Sequence, residues 1–292
     1  MGYSNWSSTA YREISSGRSG ASPREIFTST GRVDPLMNPR NFEVRESRDS
    51  EHHPHSVPLI VGFDVTGSMG HIPTGFAQQH LGTLMSKLVE SGWVTDPQVL
   101  IAAYGDAVSD QGPLQVGQFE SGLEMDMWLT RLWLEGRGGD FPESTTLVHW
   151  FAAYRTATDA WEKRRQRGYV FTIGDATTKV LSPSQLKKVF GGDPKEPHET
   201  KKVLEDAAER YHCFHVLVSN SGAPNQESLT QWTTLLGDHC LWLQQTDAIC
   251  DLIGVAVGLT EGNLSPADAK KTLNAAGISP FDADKLVQQI CP

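Results

Sequence analysis

Val57-Pro58-Leu59-Ile60-Val61-Gly62-Phe63 runs without a break into Asp64-Val65-Thr66-Gly67-Ser68. The first part is a short, continuous apolar run, the pattern of a strand buried on both faces of a parallel sheet. The second part changes chemistry at once. Alternate residues Asp64, Thr66 and Ser68 offer one carboxylate and two hydroxyls, and Gly67 lets the loop bend tightly enough for the oxygens to converge. The carboxyl end of a parallel strand is where α/β folds place ligands. Hard oxygen donors of low formal charge suit Mg²⁺, with Mn²⁺ or Ca²⁺ as alternatives. Taken alone, the pentapeptide is also open to a simple turn whose side chains cap the next helix.

Outward from this stretch, the pattern repeats. Leu81, Leu84, Met85 and Leu88 recur at helical spacing. Val99–Tyr104 is a second buried strand, an edge strand is expected around Leu114–Phe119, and Met125, Trp128, Leu129 and Leu132 return to helical spacing. A helix is expected from about Ser144 to Thr158. Tyr169–Ile173, Cys213–Val218 and Cys240–Leu243 read as further buried strands, and a helix over about 247–259 closes the domain. Ser182-Pro183-Ser184-Gln185 carries the residues of a helix start. Strands alternating with helices predict an α/β fold: a doubly wound, mostly parallel sheet with helices on both faces, Rossmann-like.

Two segments flank this domain of residues 56–262. Residues 1–55 are rich in Ser, Arg, Gly and Pro without sustained periodicity, and read as an extended or partly disordered arm, either wrapping a partner or packed on its own domain. Residues 263–292 read as a small helical hairpin, started by Ser265-Pro266 and Ser279-Pro280. Its apolar face, Ala283, Leu286, Val287 and Ile290, needs something to dock on: the main domain or a partner.

Two more loops should reach the edge of the sheet that carries Asp64. Asp175 follows Ile173-Gly174 directly, and Gly138-Gly139-Asp140-Phe141-Pro142-Glu143 opens a helix between them. Its glycines allow close backbone approach, and a helix start adds donors for an anionic group. In this combination the chain resembles the von Willebrand factor A (vWA) family, whose metal-ion-dependent adhesion site (MIDAS) reads Asp-x-Ser-x-Ser, then a distant Thr, then Asp. Asp64, Thr66 and Ser68 match the first part, with Thr66 in place of a Ser; Asp175 matches the last. The middle segment is similar to a subgroup that carries Gly-Gly-Asp-x-Pro-Glu in place of the Thr loop, as is Ala103-Tyr104-Gly105-Asp106-Ala107.

The resemblance covers roughly residues 56–260. It implies that Asp64, Thr66, Ser68 and Asp175 hold the ion directly or through water, with Asp140 as a fifth contributor, supported by Gly67, Gly138, Gly139 and Gly174. It also implies a cation-dependent protein-binding role, such as an adaptor for an AAA ATPase or chaperone; a structural component of a particle such as a phage virion is the alternative. With Asp140 ligating, attraction for a partner carboxylate should weaken.

Other features bound the function. The net charge of -10 and pI near 5.4 argue against nucleic acid or anionic membrane as partners. No apolar run is long enough for a membrane span and no signal-peptide core stands at Met1–Ser16, so a cytoplasmic location is expected. Four scattered cysteines do not form a disulfide framework. Glu51–His55 reads as an exposed connector, His71 as a loop histidine beside the ion, and Asp106 and Asp110 as surface groups elsewhere on the rim. Mg²⁺-dependent phosphohydrolases also place an Asp after a buried strand, but they need a carboxylate two residues on, where this chain has Thr66; binding rather than catalysis is expected.

Overall fold

The structure, a computed structural model, describes residues 4–67, 69–136, 142–219 and 222–291. Among the described residues eight strands follow in order: β1 (Arg45–Ser47), β2 (Val57–Asp64), β3 (Pro97–Tyr104), β4 (Leu114–Val116), β5 (Thr156–Thr158), β6 (Gly168–Gly174), β7 (Tyr211–Val218) and β8 (Cys240–Leu243). Six of them build one sheet in the order β4-β3-β2-β6-β7-β8, parallel throughout except for β4. The expected mixed α/β architecture with a mostly parallel sheet is present. β1 and β5 form a separate two-stranded pair that periodicity did not announce, each strand being only three residues long.

Alternation along β2 divides the interior in two. Leu59, Val61 and Phe63 enter one core cluster, while Ile60 joins Leu100, Tyr104 and Val170 in another on the opposite face. The helix Thr146–Tyr154 lies close against the second face: a methyl group on Gly62 would meet both γ-carbons of Val148 at 3.1 Å. On the first face, residues 71–90 form a continuous helical stretch in which ordinary turns alternate with wider ones at Phe76–His80 and Ser86–Glu90. Leu81, Leu84, Met85 and Leu88 are fully buried there, as their spacing predicts. The helix Ile249–Thr260 packs beside this stretch, with Lys87 and Trp93 against Gly254.

The N-terminal segment departs from the extended arm expected of it. Ser8–Ser16 is a helix, and of the two placements considered for the segment it takes the one on its own domain. The Tyr11 ring covers Gly82, its hydroxyl donates to the carbonyls of Phe76 (3.1 Å) and Ala77 (3.3 Å), and Arg18 grips both oxygens of Asp126 at 2.5 and 2.7 Å. Met37 is buried, and its carbonyl accepts the Val116 amide at the free edge of β4. These anchors are single large residues, each filling its own recess, so no periodicity reveals them.

The C-terminal hairpin forms as expected from Pro266–Ala275 and Pro280–Ile290, capped by Ser265 and Ser279. Leu273, Ile278, Ala283, Leu286, Val287 and Ile290 join the larger core cluster, so its apolar face docks on the main domain. Cys213, Cys240 and Cys250 are buried free thiols, and Cys291 is exposed. Among the described residues, no helix is long and apolar enough to cross a membrane.

Candidate functional site

The strand order reverses between β2 and β6, whose chain continuations leave the sheet in opposite lateral directions and open a crevice at their carboxyl ends. Asp64 closes β2, and Asp175 follows β6 directly. The register Phe63 to Ile173 brings both to the same rim. Asp64 is 1% exposed; its Oδ1 accepts from the Thr66 amide at 2.8 Å and the Thr66 hydroxyl at 2.6 Å. Its Oδ2 is buried and has no hydrogen-bond partner. Burial, reinforced by the charges of Asp175 and Asp110 and opposed by the Thr66 bonds, pushes the Asp64 carboxyl up to about 7.

Of the predicted supporting glycines, Gly67 and Gly174 lie in the described residues and both have close neighbours. A methyl group on Gly67 would meet the Gly136 carbonyl at 3.3 Å, which brings the loop after β2 against the start of the glycine-rich segment. One on Gly174 would lie 3.4 Å from Asp64 Oδ2. Ser68, Gly138, Gly139 and Asp140 lie outside the described residues. His71 is exposed in the turn entering the 71–90 helix, beside Gly67 and Gly70 in the wall of an open groove.

Two acidic residues stand differently from expectation, and a third had no role assigned to it. Asp106 and Asp110 are 5% and 3% exposed, not surface groups. Their loop folds inward because Asp110 accepts the Asp106 amide at 2.7 Å and Asp106 accepts the amides of Val108 and Ser109. Lys179 pairs with Asp106 and, against the upward push of burial, holds its carboxyl below the ordinary range. The Lys188 ammonium fixes the same loop by donating to the carbonyls of Ala107, Val108 and Asp110. Glu143 is the third. It is 4% exposed, its Oε2 is buried without a partner, and burial followed by the charges of Asp64 and Asp110 pushes it up to about 8. Its presence in the Gly-Gly-Asp-x-Pro-Glu segment was the one available signal.

The Glu51–His55 connector is also more ordered than expected. His53 is buried, with Nδ1 3.3 Å from Asp96 and Nε2 3.0 Å from the Ser4 carbonyl, while its neighbours His52 and His55 are exposed. It ties Ser4, near the N-terminus, to Asp96 at the start of β3.

Whether these residues fit a divalent cation can be asked of the orphaned oxygens. A buried carboxylate with an unpaired oxygen carries a large desolvation cost, which an adjacent cation offsets. Asp64 and Glu143 both present such an oxygen at this rim, and the Thr66 hydroxyl retains lone pairs while donating to Asp64. The donor set is all oxygen, which is the chemistry of Mg²⁺, Mn²⁺ or Ca²⁺. Among the described residues no group of three His, Cys, Asp or Glu side chains stands in metal-holding geometry. The fit therefore rests on carboxylate and hydroxyl together.

No family model and no curated protein matches the chain. Solved structures with a similar course include the pilus adhesin SpaC from Lactobacillus rhamnosus GG in its open conformation. It is 9% identical, with a TM-score of 0.45, over 79% of this chain and 31% of the adhesin. Proximal thread matrix protein 1 from the mussel byssus is 11% identical, with a TM-score of 0.46, over 70% of this chain and 48% of that protein. The chain thus spans less than half the length of either, and at these scores the likeness carries no functional argument.

Proposed function

We propose that this chain is a vWA-type domain that binds a protein partner in a divalent-cation-dependent manner, without catalysis. Asp64, Thr66, Ser68, Asp140 and Asp175 hold the ion, Mg²⁺ by preference, and Glu143 faces it from the helix side of the rim. The observation that carries this reading is the buried, unpartnered Oδ2 of Asp64 at the point where the strand order reverses. A bound dication supplies a fixed positive charge with coordination positions open to a partner's oxygen. The residues of the chain do the rest: Thr66 orients Asp64, Gly174 clears the space beside it, and the buried acids Asp64 and Glu143, which hold protons in the absence of a cation, give them up as one enters.

The excess of carboxylates has a consequence for recognition. Asp64, Asp106, Asp110, Glu143 and Asp175 gather at one rim with Lys179 as a basic partner, so once a dication has displaced the protons of the raised acids the rim still carries net negative charge. A neutral or basic group on the partner suits such a rim better than the carboxylate that adhesion domains of this family capture. The partner is therefore a protein surface presenting amide, hydroxyl or basic groups, as on an AAA ATPase, a chaperone or a particle subunit.

Calorimetric titration of the metal-free chain with Mg²⁺ and Mn²⁺ tests the reading, run beside Asp64→Ala and followed by pull-down with Mg²⁺ or with EDTA. Heat of binding and a Mg²⁺-dependent partner, both lost in Asp64→Ala, are expected. No heat in the intact chain, or a partner kept equally by both proteins, overturns it.

A further inference from the structure

The loop that carries Asp175 is not held by secondary structure of its own. One face of the helix Gln226–Leu236 holds it instead. Ser228, Gln231 and Trp232 recur at i, i+3 and i+4 on that face. The Ser228 hydroxyl donates to the Asp175 carbonyl at 3.0 Å, and the Trp232 indole N–H donates to the Ala176 carbonyl at 2.9 Å. Gln231 grips Thr178 twice, its Oε1 accepting the Thr178 amide at 2.7 Å and its Nε2 donating to the Thr178 carbonyl at 2.9 Å. Four hydrogen bonds from one helix face thus fall within four residues of loop. The opposite side of the loop is fixed by the Glu143 amide, which donates to the Thr177 carbonyl at 2.9 Å.

The clamp is built from groups with little freedom. Ser228 and Trp232 are fully buried, and the indole stacks on His215 at 3.9 Å between ring centres. His215 is in turn hydrogen-bonded from β7 to the Thr172 hydroxyl on β6 at 2.9 Å. Asn225 caps the helix by accepting the amides of Glu227 and Ser228, so the start of the helix and the bond to the Asp175 carbonyl are set by adjacent residues. A side chain that bonds a loop carbonyl fixes the loop relative to the helix axis, and a metal ligand displaced by even a fraction of an ångström loses affinity.

We infer that the helix Gln226–Leu236 sets the cation affinity of the rim by holding Asp175 in place, with Ser228, Gln231 and Trp232 as positioning residues. The inference rests on the cation reading above and deepens it. It makes this helix, whose outer face bears Glu227, Thr230, Thr233 and Thr234, the element through which contacts away from the rim reach the ion.

The test compares Ser228→Ala/Gln231→Leu with Leu235→Ala, a variant of the same helix whose side chain packs in the neighbouring apolar cluster. Two readouts are taken: amide exchange over 176–178 in EDTA, and the Kd for Mn²⁺ by calorimetry. The double variant is expected to speed exchange and raise the Mn²⁺ Kd by about ten-fold each, the size of effect typical of groups that orient a metal ligand. Gln231→Glu, which keeps the acceptor for the Thr178 amide, should fall between. Leu235→Ala should lower Tm and move neither readout. Wild-type values in the double variant, or equal shifts in Leu235→Ala, overturn the inference. If the intact chain takes up no Mn²⁺, the cation reading falls with the affinity half of this one, and the exchange rates alone decide whether the helix holds the loop.

Discussion

Gly174 and Asp64 end neighbouring strands so closely that a methyl group on the glycine would lie 3.4 Å from the carboxylate oxygen that has no partner. The same methyl would overlap the Tyr104 hydroxyl, which donates to the Ile173 carbonyl at 2.9 Å. The position thus tolerates no side chain, for steric reasons that do not involve a left-handed backbone.

Gly174→Ala is accordingly expected to destabilise the fold by about 1–3 kcal/mol, the usual cost of forcing an extra carbon into a packed interior. Urea unfolding measures it. A variant as stable as the parent would show that Tyr104 and Asp64 yield freely, against the close packing described.

The pH dependence of stability follows from the two raised acids. Asp64 and Glu143 titrate at about 7 and about 8 in the fold, chiefly through burial, but near 4 in the unfolded chain. The native state holds protons that the unfolded state has released, so their contribution is complete below the unfolded values and is lost as pH rises through the folded ones. His149, pushed down to about 4 by burial, acts in the opposite sense below its ordinary value, and His215 does likewise. The informative quantity is therefore a difference. In metal-free buffer the Tm of Asp64→Asn should gain on the parent by roughly 4 °C or more between pH 5 and 8, and millimolar Mg²⁺ should restore the parent. A gap that is constant across this range would contradict the assigned burial of the charge.

Leu286 ties the C-terminal hairpin to the main core. Leu286→Ala should cost about 2–5 kcal/mol, as for other buried leucines, and should open the hairpin to protease before the rest of the chain. If the loss is below 1 kcal/mol, the hairpin is not docked as described.

Tyr11 makes the corresponding test at the other end. Its ring fills the space above Gly82, and its hydroxyl reaches two carbonyls of the 71–90 helix. Tyr11→Ala should destabilise by about 3 kcal/mol, and Tyr11→Phe by about 1 kcal/mol for the lost hydrogen bonds. Equal stability of all three proteins in urea would mean that the N-terminal helix is detached in solution.

Much of this architecture was legible because burial on both faces leaves a continuous apolar signature, as in Val57–Phe63 and Tyr169–Ile173. The rim was legible through Asp64 and Asp175, since each directly follows such a strand. Asp106, Asp110 and Glu143 were harder. A loop acid can be buried by its own neighbours' amides, as Asp110 is by Asp106, and no spacing rule distinguishes it from a solvated one. The N-terminal segment failed for a related reason: Tyr11, Met37 and His53 are solitary anchors, and periodicity detects only repeated burial. The clamp on the Asp175 loop joins residues more than fifty positions apart, a relationship that only the fold creates.

At both margins of the six-stranded sheet, residues from outside it occupy individual edge groups. At β4 the Met37 carbonyl takes the Val116 amide and Arg45 donates to the Val116 carbonyl; at β8 Gln289 donates to the Cys240 carbonyl beneath the last helix. Edge groups occupied in this way leave less backbone for a neighbouring molecule to extend. Removing the segment that carries Met37 and Arg45, or the helix that carries Gln289, would free these groups and widen the strand edge on which aggregation can start.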